Sequence, residues 1–216
     1  MPSVFSDNAA ILAFRANILN ALNRKLSGLR GTASPRTVGD MVQDVIEDLF
    51  AAGLPANVGT AVQKKFARRA MADVATTDGH ENYIVVDVKT HNEDTAFNMP
   101  NVTSVERLAR FYEDDTNFFS LLLAKYRMSG GKPEFHEVLF VPIEHLHWDC
   151  LTLGAPGWGQ IQIANARIVH VDPTQTRKQW MLNLCDALDV FYPREIEKIN
   201  DRIKHFRTIR TFWENK

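Results

Sequence analysis

The sequence lacks several features that mark common classes of protein. It has only two cysteines, Cys150 and Cys185, which stand far apart and outside any CxxC pattern, so we expect neither a disulfide scaffold nor a cysteine zinc site. No apolar run approaches the roughly 20 residues that cross a bilayer. Residues 1–8 lack the basic start and apolar core of a signal peptide. We therefore expect a cytoplasmic protein with no membrane partner.

The chain also lacks an excess of either charge. Lys and Arg number 25 against 26 Asp and Glu, which gives a formal net charge of −1. This balance argues against a protein held to nucleic acid by bulk positive charge, although it leaves room for a local basic cleft. Hydrophobic residues make up 45% of the chain and charged residues 24%, a composition typical of globular proteins. The 216 residues suit one or two domains, and we predict a single domain over 1–216.

Helical periodicity at both ends of the chain encloses a region rich in strand signals. Apolar spacing predicts N-terminal helices over about 9–52 and C-terminal helices over about 177–213, with a break at Pro193. β-Branched and aromatic runs between them predict strands at 71–75, 83–89, 118–126, 137–143 and 160–171. We therefore expect an α/β (α+β) fold with a central mixed β-sheet flanked by helices.

Three of the predicted helices carry features that bear on function. The second N-terminal helix has an acidic face, which includes Asp44 and Glu47, opposite its apolar stripe. A shorter helix is predicted from Thr103, whose spacing to Glu106 is that of a capping box, to about Tyr112. The final helix has an apolar stripe that belongs either to the core or to a dimer interface, and the sequence leaves both open. The stripe is Ile196, Ile199, Ile203, Phe206 and Ile209.

The segment with the clearest chemistry is the predicted strand that carries Asp87 and Lys89. Alternation along a strand puts these two side chains on one face, opposite Val86 and Val88. A carboxylate and an ammonium on so apolar a strand are costly to bury unless they are paired or bind a metal. The alternative is an ordinary ion pair at an exposed strand end.

A second carboxylate precedes this strand across a predicted hairpin. The turn is predicted at Asp78-Gly79, and the arm before it carries Asp73. Asp78 is a competing acid, but turn chemistry already explains it, so we favour Asp73 as the partner of Asp87. Two neighbouring carboxylates repel each other, and a hard cation such as Mg²⁺ relieves that repulsion. A lysine beside such a metal can orient or deprotonate a water for attack on phosphorus.

This arrangement resembles the PD-(D/E)xK nuclease superfamily, in which an acidic residue is followed, after a gap, by (D/E)xK on a hydrophobic strand. Here the motif consists of Asp73, preceded by Ala72 instead of proline, and Asp87-Val88-Lys89. The resemblance implies a restriction-endonuclease-like fold. It also implies that Asp73, Asp87 and the Val88 carbonyl hold Mg²⁺. Lys89 would then position the attacking water.

Other patches of the chain resemble type II restriction endonucleases in particular. These patches are Val38-Gly39 before the acidic helix, 87–92 (DVKTHN), 97–101 (FNMPN) and 160–162 (QIQ) with 176–180 (TRKQW). The resemblance implies Mg²⁺-dependent cleavage of double-stranded DNA at a short palindromic sequence by a homodimer, whose two-fold symmetry matches that of the site. It also implies one more catalytic carboxylate from an N-terminal helix, either Glu47 or Asp44.

Two other functions fit the same residues. One is a nuclease of this superfamily that acts on a DNA structure, such as a junction or a damaged site, instead of a base sequence. The other is a non-catalytic DNA-binding protein with a degenerate nuclease fold. The intact Asp73, Asp87 and Lys89 argue against this second alternative.

DNA contacts are expected in amide-rich and basic segments. Asn and Gln side chains form paired hydrogen bonds to adenine in the major groove. The predicted DNA-binding residues are Asn92, Asn98, Asn101, Thr103, Gln160, Gln162 and Arg177. A basic cluster would suit DNA phosphates, and it consists of Lys64, Lys65, Arg68 and Arg69. The alternative for each of these residues is an ordinary solvated surface.

One further pair of residues has the spacing of metal ligands. His145 and His147 stand two residues apart, as ligands on a strand do. The sequence offers no third ligand at a convincing distance. We therefore expect a structural or surface role for both.

Overall fold

The fold is described by a computed structural model over residues 3–26, 35–51, 61–64, 71, 73–95 and 98–216. In this part of the chain the α-helices are α1 Asn8–Leu26, α2 Pro35–Ala51, α3 Val105–Phe111 and α4 Arg177–Glu214. The strands there are β1 Ala61–Lys64, β2 Val74–Thr77, β3 Tyr83–Asn92, β4 Asn101–Ser104, β5 Asn117–Ser129, β6 Lys132–Pro142, β7 Leu151–Gly154 and β8 Gln160–Ile163. None of the helices described combines the length and the apolar character of a membrane span.

Two β-sheets form the middle of the molecule. The larger sheet has the strand order β1-β2-β3-β5-β6, in which β3 and β5 run parallel and the other neighbours antiparallel. The smaller sheet is antiparallel and has the order β4-β8-β7. The predicted class, a mixed β-sheet flanked by helices, is therefore confirmed.

Strand β3 lies in the centre of the larger sheet and divides the core into two parts. Ile84 and Val86 pack on one side with α1 and α2. Val85 packs on the other side with the smaller sheet and the beginning of α4. Because side chains alternate along a strand, Asp87 and Lys89 also face the side of the smaller sheet.

Helix α2 covers the first side of the sheet with the apolar stripe that the sequence predicted. Five side chains of this stripe are at most 5% exposed, and they are Val38, Val42, Val45, Ile46 and Phe50. They stand at i, i+4, i+7, i+8 and i+12, which places them on one face of the helix. Helices α1 and α2 therefore lie where helical periodicity predicted them.

Helix α4 corrects the predicted break at Pro193. It runs for 38 residues, from Arg177 to Glu214, with Pro193 inside it. A proline removes one backbone N–H and crowds the turn before it, a defect of about 3 kcal/mol. The defect is local, and helix-favouring residues continue on both sides. The prediction was wrong because it treated the proline as the end of a helix.

The apolar stripe of α4 is outside the core of the described chain. Trp180 and Leu184 are the buried residues of this helix, and the helix continues beyond them. The stripe is exposed by 38–66% at its five positions, Ile196, Ile199, Ile203, Phe206 and Ile209. The sequence left open whether this stripe belongs to the core or to a dimer interface, and the structure shows that it is not part of the core of the described chain.

Smaller corrections concern where elements begin and end. Thr103 lies in β4, where it pairs with Ile161, so α3 begins at Val105 and not at Thr103. Of the segment 160–171, predicted to be strand or otherwise extended, the strand β8 covers Gln160–Ile163. Strands β1, β4 and β7 were not predicted, because each has four residues and none belongs to a longer run of strand-favouring residues.

Candidate active site

The hairpin of β2 and β3 brings Asp73 to the strand that carries Asp87. In its register Val74 pairs with Val86, so Asp73 lies one residue before the start of β2. The Asp73 backbone N–H donates to the Val86 carbonyl at 3.0 Å. Its side-chain Oδ2 accepts a hydrogen bond from the Val88 N–H at 2.7 Å. The carboxylate of Asp73 therefore occupies the edge of β3 that a longer β2 would have covered.

Asp87 and Lys89 form an ion pair on one face of β3. Lys89 Nζ lies 2.6 Å from Asp87 Oδ1, and the two side chains are 24% and 9% exposed. The other oxygen, Oδ2, is buried and has no hydrogen-bond partner within the described residues. Burial raises the pKa of Asp87 to about 7; Lys89 opposes this rise and Asp73 adds to it. A cation would satisfy such a buried and half-paired carboxylate.

Asp78, the competing acid, is fully engaged by the fold. Its two oxygens accept hydrogen bonds of 2.9–3.0 Å from the backbone N–H groups of Val4, His80 and Asn82 and from the Asn82 side chain. Burial alone would raise its pKa, but these hydrogen bonds outweigh burial and hold the pKa below its usual value. Asp78 thus ties the hairpin turn to the N-terminal segment, and Asp73 stays the candidate acid beside Asp87.

The oxygen atoms at this strand edge suit a hard divalent cation. Alternate residues of a strand direct their C=O groups to the same side, so the Val88 carbonyl faces the same edge as the Val86 carbonyl that Asp73 binds. Asp73, Asp87 and this carbonyl would offer the oxygen ligands that Mg²⁺ prefers. Among the described residues, no group of three or more His, Cys, Asp or Glu side chains is placed to hold a metal. Two carboxylates still fit Mg²⁺, which usually keeps several waters and binds substrate phosphates.

A cavity of about 460 Å³ opens over the two carboxylates. Its wall includes Asp73 and Asp87 together with Thr103 and Gln160, both of which the sequence predicted to contact DNA. The pairing of β4 with β8 sets Ser104 opposite Gln160 and so brings both segments to the site. The structure therefore joins four predicted residues in one cavity.

Sequence reasoning missed other residues of this wall. Glu106 and Arg107 come from α3, and Trp158 comes from the connection between β7 and β8. The predicted capping box gave Glu106 a structural role, and in the structure it pairs with Arg110 at 2.7 Å. For Trp158 the available signal was a tryptophan between two glycines in a short connection that also contains a proline.

The remaining predicted base contacts are engaged within the protein. Gln162 Nε2 donates to Asn101 Oδ1 at 2.6 Å across β4 and β8. Asn98 Nδ2 donates to the Thr90 carbonyl at 3.4 Å. Asn92 accepts hydrogen bonds in the turn that follows β3. Contacts of these amides with DNA remain predictions.

Helix α2 lies on the other side of the sheet from Asp87. Its Glu47 is half-buried and accepts a hydrogen bond from Gln43 at 3.2 Å, while Asp44 is exposed. Neither carboxylate belongs to the described wall of the cavity. A catalytic role for Glu47, with Asp44 as its alternative, is still only a prediction.

Arg177 begins α4 and lines a different cavity. Its guanidinium nitrogens lie 3.0 and 3.1 Å from Glu144 Oε1. The Tyr112 hydroxyl donates to Glu144 Oε2 at 2.6 Å. The guanidinium carbon also stands 4.3 and 4.5 Å from the ring centroids of Tyr112 and Phe118. These contacts anchor α4 to the sheet, and the predicted contact of Arg177 with DNA is untested.

Two other predicted features lie away from this site. Most of the basic cluster falls outside the described residues, namely Lys65, Arg68 and Arg69, as do Ala72 of the motif and Phe97 of the 97–101 patch. His147 Nδ1 lies 2.9 Å from Asp149, whose other oxygen lies 2.8 Å from His170 Nδ1. All three of these side chains are about half exposed, so they form a surface cluster.

Comparison with known proteins adds one distant likeness. No family model and no curated protein sequence matches this chain. Its structure is similar to that of Hjc, a Holliday junction resolvase from the archaeal hyperthermophile Archaeoglobus fulgidus, with 17% sequence identity and a TM-score of 0.33. The likeness covers 56% of this chain and 86% of the resolvase. A likeness this distant carries no argument about activity. The fold and the site together define a mixed α/β protein with two carboxylates and a lysine at one strand edge.

Proposed function

We propose that the protein is a Mg²⁺-dependent deoxyribonuclease that hydrolyses phosphodiester bonds of double-stranded DNA. The observation that carries this proposal is the meeting of Asp73, Asp87 and Lys89 at one edge of β3, with Asp87 Oδ2 buried and without a partner among the described residues. The cavity over Asp73 and Asp87 is open to solvent and lined largely by polar groups, and Lys89 lies behind Asp87 as its ion-pair partner. A phosphodiester strand could therefore reach both carboxylates.

In this proposal each residue of the motif has one task. Asp73, Asp87 and the Val88 carbonyl would hold Mg²⁺, which when bound neutralises charge on the phosphate. Lys89, held 2.6 Å from Asp87, orients the attacking water and stabilises the negative charge that develops as the leaving oxygen departs. The Asp73 carboxylate is itself fixed by the Val88 N–H. The site is thus pre-organised by the strand and its neighbour.

We further infer that the enzyme is a type II restriction endonuclease that acts in the cytoplasm at a short palindromic sequence. The patches of resemblance at 87–92 and 160–162 support this inference. Gln160, which is partly exposed on the wall of the cavity, is its best placed base-reading side chain, whereas Thr103 on the same wall is 4% exposed. Asn101 and Gln162, joined to each other next to them, extend the same polar surface.

A homodimer is part of this proposal. A two-fold symmetric enzyme matches a palindromic duplex and can cut both strands. The exposed stripe of α4 supports such an assembly, because Ile196, Ile199, Ile203 and Phe206 alternate at intervals of three and four residues. That interval is typical of helices that pack against each other as a coiled coil.

The test is incubation of the purified protein with unmethylated phage DNA, with Mg²⁺ or with EDTA. Discrete fragments that form only with Mg²⁺ would establish a site-specific endonuclease. Lys89→Ala should lower the cleavage rate by about 10²–10³-fold while DNA binding is largely kept. Lys132→Ala, an exposed lysine of β6, is the matched control and should cleave as the parent does. Normal cleavage by Lys89→Ala would overturn the assignment of the site.

A nuclease that acts on DNA structure is the second candidate. The observation that favours it is the exposed indole of Trp158 on the wall of the cavity, which can stack on a base that has left the helix. Cleavage of branched or mismatched DNA, without discrete fragments from plain duplex, would select this function. Tight binding with no cleavage in Mg²⁺ would instead indicate a non-catalytic DNA-binding protein.

A further inference from the structure

Trp158 is a large apolar side chain that the fold leaves in solvent beside the carboxylates. It is 64% exposed, although burial of an aromatic side chain is normally favourable. It lines the same cavity as Asp73 and Asp87. The rest of that wall is largely polar, with Thr103 and Gln160 among its members. The indole therefore offers a large, flat aromatic surface with a polar N–H at the wall of the cavity.

The backbone of the loop that carries this indole is fixed by its neighbours. Trp158 stands between Gly157 and Gly159, whose φ angles of +63° and +113° favour glycine. The Trp158 carbonyl accepts a hydrogen bond from the Tyr192 hydroxyl at 2.7 Å. The Gly159 carbonyl accepts one from the Val105 N–H at 3.1 Å.

The close approach at Gly159 fixes the loop further. A Cβ at this position would stand 3.4 Å from Val105 and 3.6 Å from Phe191, so the loop is wedged between α3 and α4. Tyr192 holds the same loop from α4. The indole is therefore presented to the cavity by a loop that is tied to two helices.

We propose that Trp158 stacks on a nucleobase next to the scissile phosphate, and that the preferred substrate is DNA in which this base is unpaired or easily unstacked. The inference rests on the proposed nuclease function. Every base has a flat aromatic face, so stacking on an indole is tolerant of sequence. In an intact duplex that face is covered by the neighbouring base. The contact therefore requires one nucleotide to leave the stack, which is cheapest where the base is unpaired.

The stacking contact is also compatible with an enzyme that cleaves double-stranded DNA. The cavity of about 460 Å³ lies in the range of small-molecule sites, so it would accept part of one strand and not a whole double helix. A restriction endonuclease could open the stack at its site through the same contact. A nuclease that acts on DNA structure would find the base already free.

The experiment compares binding of three DNA duplexes that differ at one position, with the Lys89→Ala change present in every protein to slow cleavage. One duplex is fully paired, one carries a single unpaired adenosine, and one carries an abasic nucleotide in place of that adenosine. Dissociation constants come from the anisotropy of a dye on the DNA. We expect the unpaired adenosine to be bound roughly 10- to 100-fold more tightly than the abasic duplex. We expect Trp158→Ala to remove this preference and Trp158→Phe to keep most of it.

Trp213→Ala is the matched control, since Trp213 is 63% exposed but lies near the end of α4. It should keep the preference of the parent. Indole fluorescence gives a second readout, because it should fall when the unpaired adenosine binds, and this fall should be lost in Trp158→Ala. If Trp158→Ala still prefers the unpaired adenosine, the stacking role is wrong. It is also wrong if the Lys89→Ala parent shows no such preference although the wild type cleaves DNA. Neither result would contradict the nuclease function. A wild type that neither binds nor cleaves any DNA would overturn the nuclease itself.

Discussion

Asp87 is the residue at which the stability of the fold and the proposed activity oppose each other. Its Oδ2 is buried without a partner among the described residues, and its pKa is raised to about 7. Asp73 adds repulsion from the neighbouring chain segment. A metal would relieve both effects, because it replaces a proton as the partner of the carboxylate. In the absence of metal the same geometry lowers the free energy of unfolding.

We expect Asp87→Asn to raise the Tm at pH 8 in EDTA. At that pH the carboxyl is above its pKa of about 7 and is charged in the folded protein, and the amide removes this buried charge. Lys89 loses its partner, but its side chain is 24% exposed and keeps access to water. For a chain of this size each kcal/mol shifts the Tm by about 2–4 °C, and we expect a rise of at least that amount.

Scanning calorimetry measures this effect. Glu134→Gln removes an exposed carboxylate of β6 and should leave the Tm unchanged. Added Mg²⁺ should raise the Tm of the wild type and not that of Asp87→Asn, because binding to the folded state alone stabilises it. A lower Tm for Asp87→Asn in EDTA would contradict the argument.

His91 makes the fold sensitive to acid. Both of its ring nitrogens are buried and lack a hydrogen-bond partner in the described chain. Burial lowers the pKa of His91 most, and the positive charge of Lys125 lowers it next. Glu93 raises the pKa, whereas Arg167 and His136 lower it further. The folded pKa lies below the unfolded one, so the unfolded chain takes up the proton first. The free energy of unfolding therefore falls as the pH decreases below about 6.5.

We expect His91→Leu to weaken this dependence on pH. Between about pH 7 and pH 5 its Tm should fall less than that of the wild type, since the buried imidazole no longer has to stay neutral. Thermal melts followed by circular dichroism at each pH measure the difference. His205→Leu changes an exposed histidine of α4 and should keep the wild-type slope. An equal slope in His91→Leu would show that acid acts through other groups.

At the scale of elements, the sequence could predict those helices and strands whose residue pattern continues over several helical turns or over a long run of strand residues. The stripe of α2 and the β-branched run of β3 are such patterns, and both elements lie where they were predicted. The hairpin that joins Asp73 to Asp87 was predictable as well, because its turn lies between them in the chain. The core of the candidate site is thus local in sequence.

The wall of the site was harder to predict because it depends on pairing between distant segments. Strands β4 and β8 are about 60 residues apart, as the pair Asn101 and Gln162 shows. Their contact is what brings Trp158 and Glu106 over the carboxylates. Each strand has four residues, and local propensity carries no information about which short strands meet.

The contact between α4 and the larger sheet gives a prediction at the same scale. Arg177→Met leaves Glu144, whose side chain is 5% exposed, with the Tyr112 hydroxyl as its described partner. Removing one partner of a buried ion pair costs about 3–5 kcal/mol. We expect the free energy of unfolding, measured in urea, to fall by this amount in Arg177→Met. It should fall by less in the double variant Arg177→Met with Glu144→Gln.

The same variants test the predicted contact of Arg177 with DNA. If Arg177 only anchors α4, DNA binding by Arg177→Met below its Tm should equal that of the wild type. Lys178→Met, an exposed neighbour in the first turn of α4, is the control for a general loss of positive charge. Weaker DNA binding by Arg177→Met alone would assign the contact to Arg177.

At the scale of the whole molecule, the two sides of the larger sheet have different tasks. One side is closed by α1 and α2, and the other carries the smaller sheet and the candidate site. Helix α4 begins on the second side and packs there through Trp180 and Leu184, and its Tyr192 holds the loop of Trp158. From Ile196 onward every residue of the helix is exposed. The apolar stripe on this exposed part of α4 does not contribute to the packing of the described chain.

We expect this stripe to join two copies of the protein. Ile203→Glu with Phe206→Glu places two charges in the middle of the stripe, where a paired helix would have to bury them. In sedimentation velocity the wild type should behave as twice 24.5 kDa and the variant as a single chain. Thr208→Glu, which adds a charge outside the stripe, should remain a dimer.

The separated protomers should nick one strand of the duplex where the dimer cuts both, because each carries one set of Asp73, Asp87 and Lys89. A wild type that sediments as a single chain at every concentration would rule out this dimer, and the proposal would then require another route to cleavage of the second strand.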